Sequence, residues 1–256
     1  MKLATWNVNS LKVRLSQLID WLSKVGPDIV CLQETKIQDV DFPFDAIRTA
    51  GYEALACGQK TYNGVAILSR STGTDIVTAI PGFVDEQKRI LAATFGDIRI
   101  ISLYVPNGES VISDKYQYKL GWLGALAAWL ADELARYPKL AVLGDYNIAP
   151  DAADVHDPKL WEGQVLFSQP EREALRGLFD RGLKDSFRLF EQPAKSFTWW
   201  DYRMNAFKRQ LGLRIDHILL SPALAHVCTS VRIDRDMRAL DRPSDHAPVI
   251  AELKLA

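Results

Sequence analysis

Short apolar segments that end abruptly in polar side chains recur along the whole chain. LATW leads into Asn7, DIVCLQ leads into Glu34, and KLAVL leads through Gly144 into Asp145. Continuous apolar runs of this length are typical of strands that are buried on both faces. A chain built from several such strands must cover both sides of its sheets, and this requirement predicts a layered fold.

Helical patterns separate the strands. Ser10 is a predicted cap for a helix whose apolar residues fall at helical spacing and whose end is predicted at Gly26. A second helix is predicted over 115–136, and SQPE (168–171) is a capping box that opens a third. The alternation, without any linker rich in Pro, Gly or Ser, predicts one α/β domain over residues 1–256 with mixed sheets. Further strands are predicted at 64–68, 89–95, 98–105, 215–221 and 247–255.

Global charge gives no support to nucleic-acid binding, because the net charge is −1. A local basic patch would be sufficient, so this class of partner is not excluded. The three cysteines, Cys31, Cys57 and Cys228, lie far apart and form no CxxC pair. An odd number of separated cysteines favours a reducing compartment and argues against a structural zinc site.

The most apolar stretch, residues 120–134, is interrupted by two acids and is too short to span a bilayer. The segment that begins KLATWNVN has no charged region followed by an apolar one, so no signal peptide is predicted. These features predict a cytoplasmic protein, nucleoid-associated in a bacterium, with no membrane contact and no obligate protein partner.

Polar residues at the strand ends form the most informative set in the sequence. A single Asp or Asn at a strand end is usually a turn former or a helix cap. Glu34 is harder to explain in this way, because a buried carboxylate needs a cation or hydrogen-bond donors. If the strands share a sheet sandwich, their polar ends converge at one rim. The set comprises Asn7, Glu34, Tyr104, Asn107, Asp145, Asn147, Asp216, Asp245 and His246.

The chemistry of this set is limited. The sequence contains no GxSxG, no P-loop and no GxGxxG motif. Carboxylate and amide oxygens suit Mg²⁺ or Mn²⁺. Together with an imidazole and a phenol, they predict metal-assisted hydrolysis of a phosphate ester.

Seven segments together carry a family resemblance: LATWNVNSL, DIVCLQETK, NGVAILSR, SLYVPNG, LGDYNIAP, GLRIDHILLS and RPSDHAPV. In this order, from residue 3 to residue 250, they resemble the exodeoxyribonuclease III and apurinic/apyrimidinic endonuclease family of the endonuclease/exonuclease/phosphatase superfamily. The resemblance implies a four-layer α/β sandwich, with two mixed β-sheets packed face to face and flanked by helices. It also implies cleavage of double-stranded DNA 5′ to an abasic site, 3′→5′ exonuclease and 3′-end-cleaning activity, and dependence on Mg²⁺ or Mn²⁺.

The resemblance assigns roles at the metal and at the attacking water. Glu34 resembles the principal metal carboxylate with Asn7 beside it, and Asp245 resembles a carboxylate that positions metal directly or through water. Asp145 resembles the group that orients or deprotonates the water. Asn147 resembles the neighbour that holds this water or a phosphate oxygen, and both residues are candidate metal ligands.

The resemblance also assigns groups around the phosphate. His246 resembles an imidazole that contacts the scissile phosphate, with Asp216 fixing its orientation. Tyr104 resembles a phenol that stabilises charge or assists the leaving group. The predicted substrate contacts are Arg89, Asn107, Arg214 and Trp200, the last as a wall for an extruded sugar. Other candidate phosphate contacts are Lys115, Arg203, Lys208, Arg209 and Arg242.

Three positions depart from the family pattern. Leu213 replaces a large aromatic residue found in some members, and Tyr146 replaces a Met or Leu. His217 replaces an aliphatic or aromatic residue and is either a hydrogen-bonding group near the site or a strand residue on the opposite face.

Two alternative functions are left open by the sequence. One is a phosphatase or phosphodiesterase of the same superfamily that acts on another phosphate ester, such as an inositol lipid. The other is a non-catalytic DNA-binding scaffold, which is disfavoured because every polar position of the set is intact.

Overall fold

Two six-stranded β-sheets pack face to face and carry helices on their outer faces, in a computed structural model that describes residues 1–255. The apolar runs of the sequence form the central strands. The strands are β1 (Lys2–Asn7), β2 (Ile29–Gln33), β3 (Glu53–Cys57), β4 (Val65–Ser69), β5 (Thr74–Val77), β6 (Ile90–Phe95), β7 (Ile98–Tyr104), β8 (Leu140–Asp145), β9 (Lys184–Asp185), β10 (Asp216–Leu220), β11 (Cys228–Ile233) and β12 (Val249–Leu253).

Both sheets are mixed. The first has the order β11-β12-β1-β2-β4-β3 and the second the order β5-β6-β7-β8-β10-β9. Each contains one parallel pair, β1 with β2 and β7 with β8, and the other neighbours are antiparallel. The predicted four-layer sandwich of two mixed sheets is therefore confirmed.

The helices complete the outer layers. The two longest predicted helices, α1 and α3, are confirmed, and Gly26 ends α1 in the left-handed conformation with φ 60°. Among the described residues, no helix has both the length and the apolar content needed to cross a membrane. The helices are α1 (Leu11–Val25), α2 (Phe44–Thr49), α3 (Asp114–Arg136), α4 (Pro158–Trp161), α5 (Gln169–Asp180) and α6 (Pro222–His226).

The helix caps agree only partly with the sequence prediction. The capping box before α5 is confirmed, since the Ser168 N–H donates to the Glu171 side chain at 3.0 Å. The predicted cap at Ser10 is wrong, because its side chain makes no capping hydrogen bond. Instead, the Ser10 N–H donates to the Glu34 carbonyl at 2.8 Å. The start of α1 is thus tied to the loop that follows β2.

Apolar side chains fill three interfaces between the four layers. The inner faces of the two sheets meet in one cluster that includes Leu3, Ile100 and Leu143. A second cluster joins the second sheet to α3 and α5, and a third joins the first sheet to α1. Strands buried from both sides explain why β1, β2, β7 and β8 are almost continuously apolar.

Gly144 lies where two strand backbones approach closely. A Cβ atom at this position would lie 2.0 Å from the Leu103 carbonyl oxygen on β7. We expect Gly144→Ala to lower the free energy of unfolding by about 1–3 kcal/mol or more, since the backbone must move to relieve the overlap. Urea denaturation measures this change.

Gly121→Ala is the matched control for this substitution. Gly121 lies within α3, and nothing would lie within 4 Å of an added Cβ atom. Because alanine is the better helix former, this variant is expected to gain up to about 1 kcal/mol. Equal stabilities of the two variants would contradict the steric argument for Gly144.

Candidate active site

The directions of the strands bring polar side chains to one edge of each sheet. In the first sheet, β1 and β2 are parallel, so Asn7 and Glu34 emerge together at their carboxyl ends. In the second sheet, Tyr104 lies opposite Asp145 in the parallel pair, and the antiparallel β10 begins there with Asp216. The direction and register of these strands therefore explain why the polar side chains converge at one edge, as the sequence predicted.

His246 reaches the same edge from the first sheet. It precedes β12, which runs antiparallel to β1 and begins near the end of β1. The Trp6 indole N–H donates to the His246 carbonyl at 3.2 Å, and the His246 N–H donates to Ser244 at 3.2 Å. These bonds fix the backbone that carries the imidazole. We call this shared edge of the two sheets the active-site rim.

Asn7 joins two carboxylates across the sheets. Its amide nitrogen donates to Glu34 Oε1 at 2.8 Å and to Asp145 Oδ2 at 2.9 Å. Its side-chain oxygen accepts the Asn9 N–H at 2.9 Å. In this arrangement Asn7 holds the two carboxylates together, and its predicted role at the metal stays a prediction.

Glu34 has an unusual backbone conformation. Its φ is 49°, in the left-handed region that residues with a Cβ atom rarely adopt. The following loop is held by hydrogen bonds from Thr35 N and Lys36 N to residues 63 and 64. Strain of this kind is tolerated where neighbouring structure determines the conformation, and here it directs the Glu34 carboxylate inward.

Glu34, Asp145 and His246 form a three-residue cluster, in which the two carboxylates are the candidate ligands of a divalent metal. One ligand atom from each residue lies within 4.8 Å of the other two. Lys36 Nζ lies 2.8 Å from Glu34, and His246 Nε2 lies 3.8 Å from Asp145. With Asp216 also in contact with His246, the carboxylates at this point outnumber the cations that touch them. Hard oxygen donors with excess negative charge fit a divalent cation.

Asp145 and Asn147 form a compact turn at the end of β8. The Asn147 N–H donates to Asp145 Oδ1 at 2.9 Å, and Asn147 has φ 50°. Burial raises the pKa of Asp145 to about 7, and the effect of the Asp216 carboxylate adds to it while His246 opposes it. A carboxyl group with this pKa can take up a proton near neutral pH.

Asn147 is held by partners on two loops. Its side chain donates to the Val105 carbonyl at 3.0 Å and accepts from Asn107 at 3.1 Å. Both Asn residues lie at the active-site rim, as the sequence predicts, and neither belongs to the three-residue metal cluster. Their predicted roles toward water and phosphate stay predictions.

His246 and Asp216 form a buried pair. His246 Nδ1 lies 2.9 Å from Asp216 Oδ2. Burial alone would lower the pKa of His246, but the Asp216 and Asp145 carboxylates outweigh this effect and raise the pKa to about 10. The imidazole is therefore a cation at neutral pH, with Nε2 directed toward Asp145.

Tyr104 lies beside the carboxylates and under a guanidinium. The centre of the Arg89 guanidinium lies 4.8 Å from the Tyr104 ring centroid. Burial, followed by the negative charges of Glu34 and Asp145, raises the pKa of Tyr104 well above its usual value. The phenol therefore stays protonated and is available as a hydrogen-bond donor.

A cavity of about 710 Å³ opens next to Tyr104. Its lining combines hydrogen-bonding, aromatic and basic side chains, and it includes two of the predicted substrate contacts. The lining residues relevant to a phosphate-containing ligand are Tyr62, Arg89, Tyr104, Asn107 and Lys115.

Asp245, predicted as a metal carboxylate, lies outside the three-residue cluster. Its Oδ1 accepts from the Asn9 side chain at 2.8 Å and its Oδ2 accepts from the Trp199 indole at 3.0 Å. Asp245 therefore holds Asn9 and Trp199 at the rim. Its predicted role at the metal, direct or through water, stays a prediction.

Two predicted substrate contacts are wrong. Trp200 is fully buried with Phe197 and packs edge-on against Phe207, so it belongs to the core. Arg214 is also buried, with its guanidinium bonded to Asp154. Successive residues of an extended segment face opposite sides, and Trp199, not Trp200, therefore faces the rim.

The three departures from the family pattern all face the interior. Tyr146 is buried against the second sheet, and its hydroxyl donates to the Val142 carbonyl at 3.2 Å. His217 is held between Arg214 at 2.9 Å and the Ile148 carbonyl at 2.8 Å. His217 is therefore a strand residue on the opposite face, and Leu213 is fully buried.

The sequence predictions missed three side chains at the rim: Asn9, Lys36 and Trp199. Lys36 Nζ donates to the Asn9 side chain at 2.6 Å and pairs with Glu34. The available signal was spacing, because Asn9 follows Asn7 by two residues and Lys36 follows Glu34 by two. No comparable signal distinguished Trp199 from Trp200.

Comparisons with known proteins agree with this fold and site. The model of the endonuclease/exonuclease/phosphatase family matches residues 4–246. Exodeoxyribonuclease III of Haemophilus influenzae is 38% identical over 267 residues, which cover 99% of this chain and 100% of that protein. Among solved structures, the 3′ phosphatase NExo from Neisseria, bound to a product DNA hairpin, matches with a TM-score of 0.98 and 47% identity over 100% of both chains. An AP endonuclease from Archaeoglobus fulgidus matches with a TM-score of 0.96 and 36% identity, also over 100% of both.

Proposed function

Because the chain belongs to the endonuclease/exonuclease/phosphatase family, we propose that it is a DNA-repair hydrolase that cleaves phosphate esters at abasic sites and at 3′ ends of double-stranded DNA. The observation that carries this proposal is the convergence of Glu34, Asp145 and His246 within 4.8 Å. Two carboxylates, an imidazolium and an adjacent phenol can together bind a cation, activate water and stabilise the negative charge that develops on a phosphate ester.

Asp145 is the residue that orients and deprotonates the attacking water. Its carboxylate is buried, and its pKa of about 7 suits general-base chemistry at neutral pH. Asn7 and the Asn147 N–H fix the two carboxylate oxygens. The base is thus held in one orientation before substrate binds.

Glu34 is the principal oxygen ligand for Mg²⁺ or Mn²⁺, with the Asp145 carboxylate beside it acting on the water. When bound, this cation supplies Lewis-acid polarisation of a phosphate oxygen. Lys36 and Asn7 hold the Glu34 carboxylate on either side, at 2.8 Å in both cases. The family resemblance and the oxygen-rich donor set support the choice of these two metals over zinc.

Three side chains stabilise the negative charge that develops on the phosphate. His246 does so as an imidazolium oriented by Asp216. Asn147 contributes an amide, and Tyr104 contributes a neutral phenol. Preorganised donors in a buried site stabilise such charge more effectively than water does.

DNA is the substrate class supported by the relatives, and the rim offers matching contacts. The cavity beside Tyr104 includes Arg89 and Lys115, which suit the sugar-phosphate backbone. Trp199 replaces Trp200 as the aromatic side chain at the rim. We further propose that residues 1–256 act as one domain, since β1 and β12 from opposite ends of the chain pair in one sheet.

One assay tests the function directly. The protein is incubated with Mg²⁺ and three duplexes, which carry an internal abasic site, a 3′-phosphate or a plain blunt end, and in parallel with a phosphoinositide. We expect hydrolysis of the DNA substrates, loss of activity in EDTA, and recovery on adding Mg²⁺ or Mn²⁺. The ratio of products reports the balance between endonuclease and 3′-end activities.

Two other results would reject the proposal. Turnover of the phosphoinositide alone would identify a phosphatase of the same family with another substrate. Binding of DNA without hydrolysis under any of the metal conditions would identify a non-catalytic scaffold.

A further inference from the structure

A buried ion pair lies directly beneath the active-site rim. Lys119 on α3 and Glu171 on α5 are both fully buried, and the Lys119 ammonium is bonded to Glu171 Oε1. Charged side chains are rarely buried completely, and such a pair often contributes no more stability than an apolar pair of similar volume. Stability alone is therefore a weak explanation for this pair.

The remaining donors of Lys119 reach the backbone of two rim residues. Lys119 Nζ donates to the Asn107 carbonyl at 3.1 Å and to the Asn147 carbonyl at 2.7 Å. An ammonium group has three donors, and here all three have acceptors. The side chains of the same two residues face the rim, where Asn107 donates to Asn147 at 3.1 Å.

Glu171 extends this connection to a third loop. Its Oε1 accepts the Leu166 N–H at 3.0 Å, and its Oε2 accepts the Ser168 N–H at 3.0 Å. The Leu166 carbonyl in turn accepts the Ala149 N–H at 2.8 Å. The ion pair thus connects three loops, which contain Asn107, Asn147 and Leu166.

We propose that Lys119 is a positioning residue for the reaction, which holds Asn147 and Asn107 in the geometry that receives the substrate phosphate. The φ of Asn147 is 50°, in the left-handed region that Asn adopts more often than other residues with a Cβ atom, and the Lys119 bond to its carbonyl selects this conformation. The Lys119 bond fixes the Asn147 carbonyl from below, and this holds the Asn147 side chain in its contacts with Val105 and Asn107 at the rim. The kinetic consequences of this inference rest on the proposed phosphate-ester hydrolysis. Its geometric part does not.

The kinetic test compares Lys119→Met with a matched variant, Arg99→Met. Arg99 is also a buried cation paired with a carboxylate, Glu133 on the same helix, at 2.7 Å. Its remaining donors reach the Asp75 carbonyl and the Thr94 hydroxyl, away from the rim. Glu133, the partner of Arg99, lies about 21 Å along the α3 axis from Lys119. Arg99→Met therefore reports only the loss of stability that follows from removing a buried cation.

We expect Lys119→Met to lower kcat on the abasic duplex by about 10- to 100-fold, with little change in KM. Arg99→Met, measured at a temperature where both variants are folded by circular dichroism, should keep kcat close to wild type. In the double variant Lys119→Met/Asn147→Ala, kcat should equal that of Asn147→Ala, because Lys119 acts through Asn147. Multiplicative losses, or equal losses in the two methionine variants, would overturn the inference.

A crystal structure of Lys119→Met decides the geometric part without reference to turnover. We expect Asn147 to leave the left-handed region and the bond from Asn107 to Asn147 to be lost. An unchanged Asn147 would overturn the inference. If the wild-type protein hydrolyses no DNA substrate, the proposed function fails, and this structure still decides whether Lys119 holds the rim. If Lys119→Met does not fold, Glu171→Gln, which keeps the volume of the side chain, replaces it with the same expected direction.

Discussion

Asp145→Asn is expected to lower kcat by about 10²–10⁴-fold while the protein remains folded. The substitution keeps the volume of the side chain, and an amide oxygen can still accept the Asn147 N–H. The carboxylate that we propose takes the proton from water is lost. Single-turnover cleavage of an abasic duplex at saturating protein measures this step apart from binding.

The Asp145→Asn substitution also disturbs the contact with Asn7. The Asn side chain places an NH₂ group where Asp145 has its Oδ2 atom. This donor would face the amide nitrogen of Asn7, which is also a donor, so the two side chains must rearrange in the variant. A change in KM alone would indicate this rearrangement and not the loss of a base. Cleavage at a rate close to wild type would remove Asp145 from the mechanism.

Asp154→Asn is the matched control for Asp145→Asn. Asp154 is equally buried, at 1% exposure, but its oxygens pair with Arg214 and Arg188. Removing one partner of a buried ion pair costs about 3–5 kcal/mol of stability. We therefore expect this variant to unfold at lower denaturant concentration and to keep its kcat, which is the opposite of the result for Asp145.

The sequence predicted the layered fold because its central strands are apolar on both faces. β1, β2, β7 and β8 were all recognisable as continuous runs. Edge strands carry no such signal, since only one of their faces is covered. β5 has the sequence TDIV and is mostly exposed, and β9 has only two residues. Neither was predicted.

The three-residue cluster was predictable because each member lies at the end of a recognisable strand. Glu34 and Asp145 end apolar runs, His246 precedes β12, and the directions of the strands bring them together. Arg214 and Trp200 were wrong for a different reason. Side-chain type alone does not reveal which face of an extended segment is buried, and both residues point inward.

Contacts between buried side chains that lie far apart in the sequence could not be predicted at all. Lys119 lies in the second turn of a predicted helix, where a lysine usually faces solvent. Only the packing of α3 against α5 brings it to Glu171, and the loops after β7 and β8 supply its two carbonyl partners. The same limit applies to Asp154 and Asp185, which surround Arg214 from two separate segments.

Asp216→Asn is the second substitution with a large expected effect. We expect kcat to fall by about 10²–10⁴-fold, because His246 loses the carboxylate that orients Nδ1 at 2.9 Å and sustains the imidazolium. An amide at this position can present its NH₂ group to Nδ1, and this would stabilise the wrong tautomer. Asp185→Asn is the control, since it removes a buried carboxylate near the other buried histidine, His217.

The pH profile distinguishes this role from a general loss of structure. In the wild-type protein the pKa of His246 is raised to about 10, so the imidazolium persists below that pH and is lost as the pH rises through it. Without Asp216 the effect of burial, which lowers the pKa, is opposed mainly by Asp145. The alkaline limb of the kcat profile should therefore move to lower pH in Asp216→Asn and stay in place in Asp185→Asn. An Asp216→Asn profile that keeps its alkaline limit would mean that the charge on His246 does not depend on Asp216.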